Sequence, residues 1–198
     1  MEKRIIIGVL ALQGDAQEHI EATKNAAWKM RKNIGVVPVR TKRELAGLSG
    51  LIIPGGESTT LYKLCQREGV LGEIKRIRNI FGTCAGAIML SKNAGNKILG
   101  QKTLQLMDVE LKRNAYGRQN DSFETDIRTS IGALHAVFIR APKITRAGKN
   151  VQVLAKYNGE TIACEEKTKN GYYLALCFHP ELTTTLFHEH FLGRVLGI

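Results

Sequence analysis

The sequence predicts an α/β fold, with a mostly parallel central sheet flanked by helices. Three observations predict it. Short apolar runs at residues 5–12, 34–39, 51–53 and 80–81 alternate with segments of helical character. Helix-start signals fall between those runs, which is the rhythm of βαβ units. The turns at Gln13, Gly55 and Cys84 each follow a strand end, and in a parallel sheet that places them on one rim, where chemistry gathers.

Each element has its own signal. The apolar run at 5–12 begins too early for a secretory leader and no A-x-A-like site follows it, so it reads as the first buried strand of a cytoplasmic protein. Asp15 with Glu18 three residues later has the form of a capping box, opening a helix to about Lys32. Residues 34–39 are the second strand, and Thr41 with Glu44 opens a short helix closing near Gly47. Residues 51–53 are the third strand, stopped by Pro54-Gly55-Gly56-Glu57-Ser58. Ser58 is the expected N-cap of a helix from Thr59 to about Arg67, and a further helix over 71–77 leads into the fourth strand.

Beyond Leu90 the rhythm loosens. Residues 104–111 and 136–139 are strand-like, with a polar loop at 113–118 between them. Residues 151–155 and 161–164 form a hairpin turned at Asn158-Gly159, a strong turn dipeptide. Asn170-Gly171 turns the chain into a last strand over 172–178, and residues 183–185 cap a final helix ending near Leu196. With no linker, repeat or low-complexity segment, one domain is expected over 1–198.

Composition excludes more than it identifies. A chain of 198 residues with 43% hydrophobic residues buries a normal core, and no apolar run approaches the ~18 residues of a membrane span. The net charge of +11 is spread along the chain without interleaved aromatics, which argues against nucleic acid as a partner. Cys65, Cys84, Cys164 and Cys177 lack ligand spacing, so no metal is expected, and His188-Glu189-His190 reads as a solvated helix end. The Pro54-Gly55-Gly56 turn lacks a P-loop ending and no dinucleotide fingerprint follows strand one, so no phosphate cofactor is expected.

One stretch carries the chemistry. Ile80-Phe81-Gly82-Thr83-Cys84-Ala85-Gly86-Ala87 has the Gly-x-Cys-x-Gly form of a nucleophile elbow, with sulfur in place of serine oxygen. A nucleophilic cysteine needs a base, and the base needs an orienting acceptor. His179 also follows a strand, and Glu181 stands two residues on across a stiffening Pro180, so the three fit a triad on an α/β frame. The oxyanion of such a reaction needs two donors. The N–H of Ala85 is one, and the Gly55-Gly56 turn is placed to supply the other. The other three cysteines fall in predicted helices or strands and read as packing thiols.

Pro54-Gly55-Gly56-Glu57-Ser58-Thr59, Phe81-Gly82-Thr83-Cys84-Ala85-Gly86 and Phe178-His179-Pro180-Glu181-Leu182 resemble the motifs of class I (triad) glutamine amidotransferases. Three further stretches narrow the resemblance to the glutaminase subunits of pyridoxal 5′-phosphate synthases. They are Gly8-Val9-Leu10-Ala11-Leu12-Gln13-Gly14, the run from Arg113-Asn114-Ala115-Tyr116-Gly117 through Arg118-Gln119-Asn120-Asp121-Ser122-Phe123, and Val137-Phe138-Ile139-Arg140-Ala141-Pro142. The resemblance implies a three-layer, flavodoxin-like glutaminase that hydrolyses L-glutamine and passes ammonia to a synthase subunit making the vitamin B6 cofactor. It implies Cys84 as nucleophile with His179 and Glu181, and Gly56, Glu57, Ser58, Arg113, Ile139 and Arg140 around the glutamine. It also implies Gln13 at the face meeting the synthase. Residues 29–33 and 165–171, with His135 and Cys177, depart from the family pattern, the second stretch as a lengthened turn before the last strand. The competing readings are the glutaminase of another amidotransferase and a non-catalytic flavodoxin-like binding module.

Overall fold

Residues 5–10 are apolar at every position but Gly8, and such a run is satisfied where both faces of a strand are covered. The computed structural model, which describes residues 4–96, 100–115 and 122–198, places that run inside a parallel block, between two neighbouring strands. In chain order its first elements are β1 (Ile5–Leu10), α1 (Ala16–Lys29), β2 (Ile34–Val39), β3 (Gly50–Ile53), α2 (Ser58–Arg67), α3 (Leu71–Ile74), β4 (Asn79–Thr83) and α4 (Ala85–Leu90). Then follow β5 (Ser91–Gly95), β6 (Met107–Lys112), β7 (Ser122–Thr129), β8 (Gly132–Ile139), β9 (Lys143–Ala147), β10 (Val151–Tyr157), β11 (Glu160–Thr168), β12 (Gly171–Leu176) and α5 (Leu186–Leu196).

The parallel block runs β2-β1-β3-β4-β12. From β1 the chain steps outward through α1 to β2, then back across to β3 and on through α2 to β4. Right-handed crossovers in those opposite directions put α1 and α2 on opposite faces of the sheet. α1 packs with α5 and α2 with α4, which gives three layers. The strand order reverses between β1 and β3, so the loops beyond their carboxyl ends flank the crevice where α/β sheets bind ligands.

Past β12 the sheet turns antiparallel, through β11, β10, β7 and β8, with β9 and β6 branching antiparallel from β11 and β5 pairing parallel to β6. The whole sheet is therefore mixed, and its parallel half is the one that the strand–helix rhythm predicts. β10 and β11 form the expected hairpin, with Asn158 (φ 49°) and Gly159 (φ 81°) both left-handed as a type I′ turn requires. Phe81, Phe178, Phe187 and Phe191 fill the core beneath the rim, each fully buried and worth about 1.5–3 kcal/mol in transfer free energy.

Several expectations change. α2 begins at Ser58 and its N-cap is Glu57, whose carboxylate accepts from the N–H groups of Thr59 and Thr60. Two acceptor oxygens serve two orphan donors where a serine serves one. Asp15 does stand at the N-cap of α1, but its side chain makes no cap hydrogen bond and turns to a histidine instead. α1 ends at Lys29, α3 at Ile74 and β12 at Leu176. Residues 165–168 are paired strand in β11, not part of a lengthened turn. His188 is fully buried and His190 bonds Glu165, so this end of the chain is not a solvated helix face. β5, β7 and β9 have no counterpart among the predicted strands, because their buried positions are too few or too irregular to form an apolar run.

Candidate active site

β4 delivers the chain to Cys84, which sits at φ 46°, ψ −102°, outside the regions L-residues prefer. Such a residue costs about 1–3 kcal/mol and persists only where its surroundings over-determine it. Here they do. The Cys84 N–H bonds the Leu176 carbonyl of β12 at 2.8 Å, and its own carbonyl accepts from Ile88 at 3.1 Å to start α4. Gly86 lies so close to β3 that any β-carbon would run into the Ile53 carbonyl. The thiol points at the Ile139 carbonyl, a weak contact of 3.9 Å.

β12 lies parallel beside β4, with Leu176 paired to Thr83, so the residues beyond it emerge next to the elbow. The His179 N–H is held by the Val137 carbonyl of β8 at 2.9 Å, and Pro180 opens a short turn that returns Glu181 beneath the ring. Nδ1 of His179 donates to Glu181 Oε1 at 2.7 Å, with Asp15 Oδ2 3.2 Å away. Nε2 is buried without a hydrogen-bond partner. Burial works against a charge on this imidazole, but Asp15, Cys84 and Glu181 outweigh it and push its pKa up to about 12. Burial would raise the Glu181 carboxyl, yet His19 and His179 hold it well below the usual range. Burial pushes Cys65 and Cys164 up to about 12 and Cys177 well above its ordinary value, so those three thiols are inert packing groups.

Asp15, Gly56, Glu57, Ser58, Cys84, Arg113, Ile139, Arg140 and His179 line one cleft of about 270 Å³. The structure thus brings together Cys84, His179 and every residue expected around the substrate. A larger cleft of about 880 Å³ lies at the other end of the sheet, along Lys42, Arg43, Arg76 and Arg78, and neither a cysteine nor a histidine lines it. Glu57 ties the wall together. Arg113 donates to its Oε1 at 2.9 Å, and burial, which would raise this carboxyl, is outweighed by the Thr59 and Thr60 donors that bring it to about 2. Gln101 bridges Arg113 to Ser58. Arg140, at φ 45°, stands exposed at the cleft without an ion-pair partner among the described residues. Tyr116 to Asp121 of the expected substrate loop lie outside the described residues.

Gln13 grips the glycine turn from the β1 side. Its Nε2 donates to the Gly55 carbonyl at 3.1 Å, and its Oε1 accepts from the Glu57 N–H at 3.3 Å. Ala85 is buried at the first position of α4, where the backbone N–H has no intrahelical partner. Asp15, His179 and Glu181 also bring three possible metal-ligand atoms within 4.8 Å of one another. The separations at Nδ1 are those of hydrogen bonds, with a proton in the place a metal would need.

Behind Glu181 lies a buried group absent from the expected site. His19 of α1 has Nδ1 3.0 Å from His188 Nε2 and Nε2 3.0 Å from Thr83 Oγ1, and that Nε2 is 3.3 Å from Glu181 Oε2. Burial brings His188 down to about 3, so it is neutral. The signal for His19 is only that it sits on the core face of α1 with Thr23 and Ala26.

A strained cysteine and a histidine–carboxylate pair on neighbouring strand ends form the arrangement of a triad-type thiol hydrolase on an α/β frame. Residues 9–196 match the model of the SNO glutamine amidotransferase family, to which the chain belongs. It is 46% identical over 197 residues to pyridoxal 5′-phosphate synthase subunit PdxT of Korarchaeum cryptofilum, covering 96% of this chain and 98% of that one. It is 43% identical to the PdxT subunit of Methanosarcina mazei, at 96% and 98% coverage. A crystal structure of a glutamine amidotransferase superposes with a TM-score of 0.82 at 40% identity, covering 97% and 99% of the two chains.

Proposed function

We propose that this chain is the glutaminase subunit of a pyridoxal 5′-phosphate synthase, a single domain over 1–198 acting in the cytoplasm. It hydrolyses L-glutamine to L-glutamate and ammonia and delivers the ammonia to a synthase subunit. The supporting observation is the pairing of Cys84 and His179 at adjacent strand ends inside the Glu57–Arg113 cleft. Among the described residues no helix is long and apolar enough to cross a membrane.

The proposed reaction uses the residues gathered at the cleft. His179 Nε2 takes the Cys84 proton and sulfur attacks the side-chain amide carbon of glutamine, sending the carbonyl electrons to oxygen. The Ala85 N–H and an N–H of the Gly55-Gly56 turn receive that oxyanion. The imidazolium then protonates the amide nitrogen, the C–N bond breaks and ammonia leaves. Water, deprotonated by His179, cleaves the glutamyl thioester, and the proton returns to sulfur. Arg140, without an ion-pair partner among the described residues, is the cation for the substrate carboxylate, since Arg113 is already engaged by Glu57. Because Gln13 holds both ends of the glycine turn, a synthase docking at Gln13 would set the second oxyanion donor. Ammonia release from glutamine, measured with and without the synthase, tests the reading. Cys84→Ala should abolish it, and undiminished release by that variant would sink the mechanism.

A further inference from the structure

We propose that His19 is a positioning residue for the glutaminase reaction, holding the far oxygen of Glu181 so that the near one fixes His179 with Nε2 open toward Cys84. This rests on the triad reading above and goes beyond it.

Proton accounting gives the direction of the chain. His188 Nδ1 is buried with no partner, and a buried unpaired N–H is far rarer than a buried unpaired lone pair. The single proton of neutral His188 therefore sits on Nε2 and is donated to His19 Nδ1. That leaves the His19 proton on Nε2, facing Thr83 Oγ1 and Glu181 Oε2. Glu181 Oε2 makes no hydrogen bond and its side chain is fully buried, so His19 Nε2 at 3.3 Å is the polar group that offsets half a carboxylate in the core. Glu181 Oε1 accepts from His179 Nδ1, which orients the ring with Nε2 toward the cleft and stabilises the imidazolium that forms when sulfur gives up its proton. The edge of the Phe81 ring and the His188 ring wedge His19 in place, with centroids 5.9 and 5.2 Å away. Four elements converge there: α1, β4, the turn at residues 180–182 and α5.

The test measures glutamine-dependent ammonia release in the complex with the synthase for His19→Leu, His19→Gln and Cys84→Ala, alongside thermal unfolding. His19 does not line the glutamine cleft, so His19→Leu should lower kcat about 10- to 100-fold at unchanged KM. His19→Gln, which keeps an N–H donor near the same place, should recover most of the loss. Wild-type kcat in a folded His19→Leu, or no recovery in a folded His19→Gln, overturns the proposal. If both variants unfold, nitrogen-15 NMR of the histidines in the wild-type protein decides. Protons on Nε2 of both His19 and His188 support the chain, and a proton on His19 Nδ1 overturns it. Ammonia release surviving in Cys84→Ala would remove the triad reading and this proposal with it. Full activity in His19→Leu beside an inactive Cys84→Ala would remove this proposal alone.

Discussion

Replacing Gly82 with alanine should disable the elbow while leaving its chemistry in place. A β-carbon there would lie 2.5 Å from the Gly86 carbonyl carbon, 2.6 Å from its oxygen and 2.8 Å from the Ala87 nitrogen. Ordinary contacts begin at 3.4 Å, so β4 and the start of α4 must part by close to 1 Å. Both obstacles are backbone, so no side chain can swing aside. Cys84 sits between them, and a displacement of about 1 Å costs on the order of 100-fold in rate, or about 2.7 kcal/mol of barrier. Overpacking adds roughly 1–3 kcal/mol of lost stability. Steady-state ammonia release and urea unfolding measure the two effects. Gly72→Ala is the control, since nothing lies within 4 Å of its β-carbon. Wild-type kcat and stability in Gly82→Ala would refute the reasoning.

Three other outcomes follow from the same structure. Cys84→Gly should unfold at higher denaturant than Cys84→Ala, because glycine relieves a strained backbone worth about 1–3 kcal/mol; equal midpoints would show that no strain is stored. Glu57→Ala removes the α2 cap and the Arg113 partner, so it should cost about 1 kcal/mol in chemical unfolding and raise KM for glutamine. The pH dependence of stability has a sign on each side. His179 is raised from 6.5 to about 12, so its contribution is whole below pH 6.5 and drains away as pH climbs toward 12. Glu181 is lowered from 4.5, so its contribution is whole above pH 4.5 and is lost as pH falls further. Melting temperature should therefore peak between those values and decline less steeply on both sides in Glu181→Gln; identical slopes would discount the pair.

What the sequence makes legible is local. The second strand, at 34–39, is an uninterrupted apolar stretch apart from Gly35 and Pro38, and its bounds match β2. The Asn158-Gly159 turn is encoded by the two residues that make it. The elbow and the His179-Pro180-Glu181 turn are legible because each is a few contiguous residues with demanding chemistry. What fails is competition between a local and a distant partner. Asp15 has the pattern of a helix cap, but His179, 164 positions later in the chain, claims its carboxylate. His19 and His188 meet across 169 positions, and neither carries a local signature of that contact. Gln101, which bridges Arg113 and Ser58, is equally silent in its own neighbourhood.

The adjacency of β4 and β12 sets the order in which this protein can become reactive. The elbow is complete by residue 90, yet the strand that leads to His179, the proposed base, begins at residue 171, after seven intervening strands, β5 to β11, have been made. β12 must insert between β4 and β11, a closure of high sequence separation of the kind that folds late. During synthesis the thiol therefore emerges long before its histidine, and on the proposed mechanism a growing chain holds a nucleophile with no means of taking its proton. Hydrolytic competence arrives with the last strand, once the sheet around it already stands.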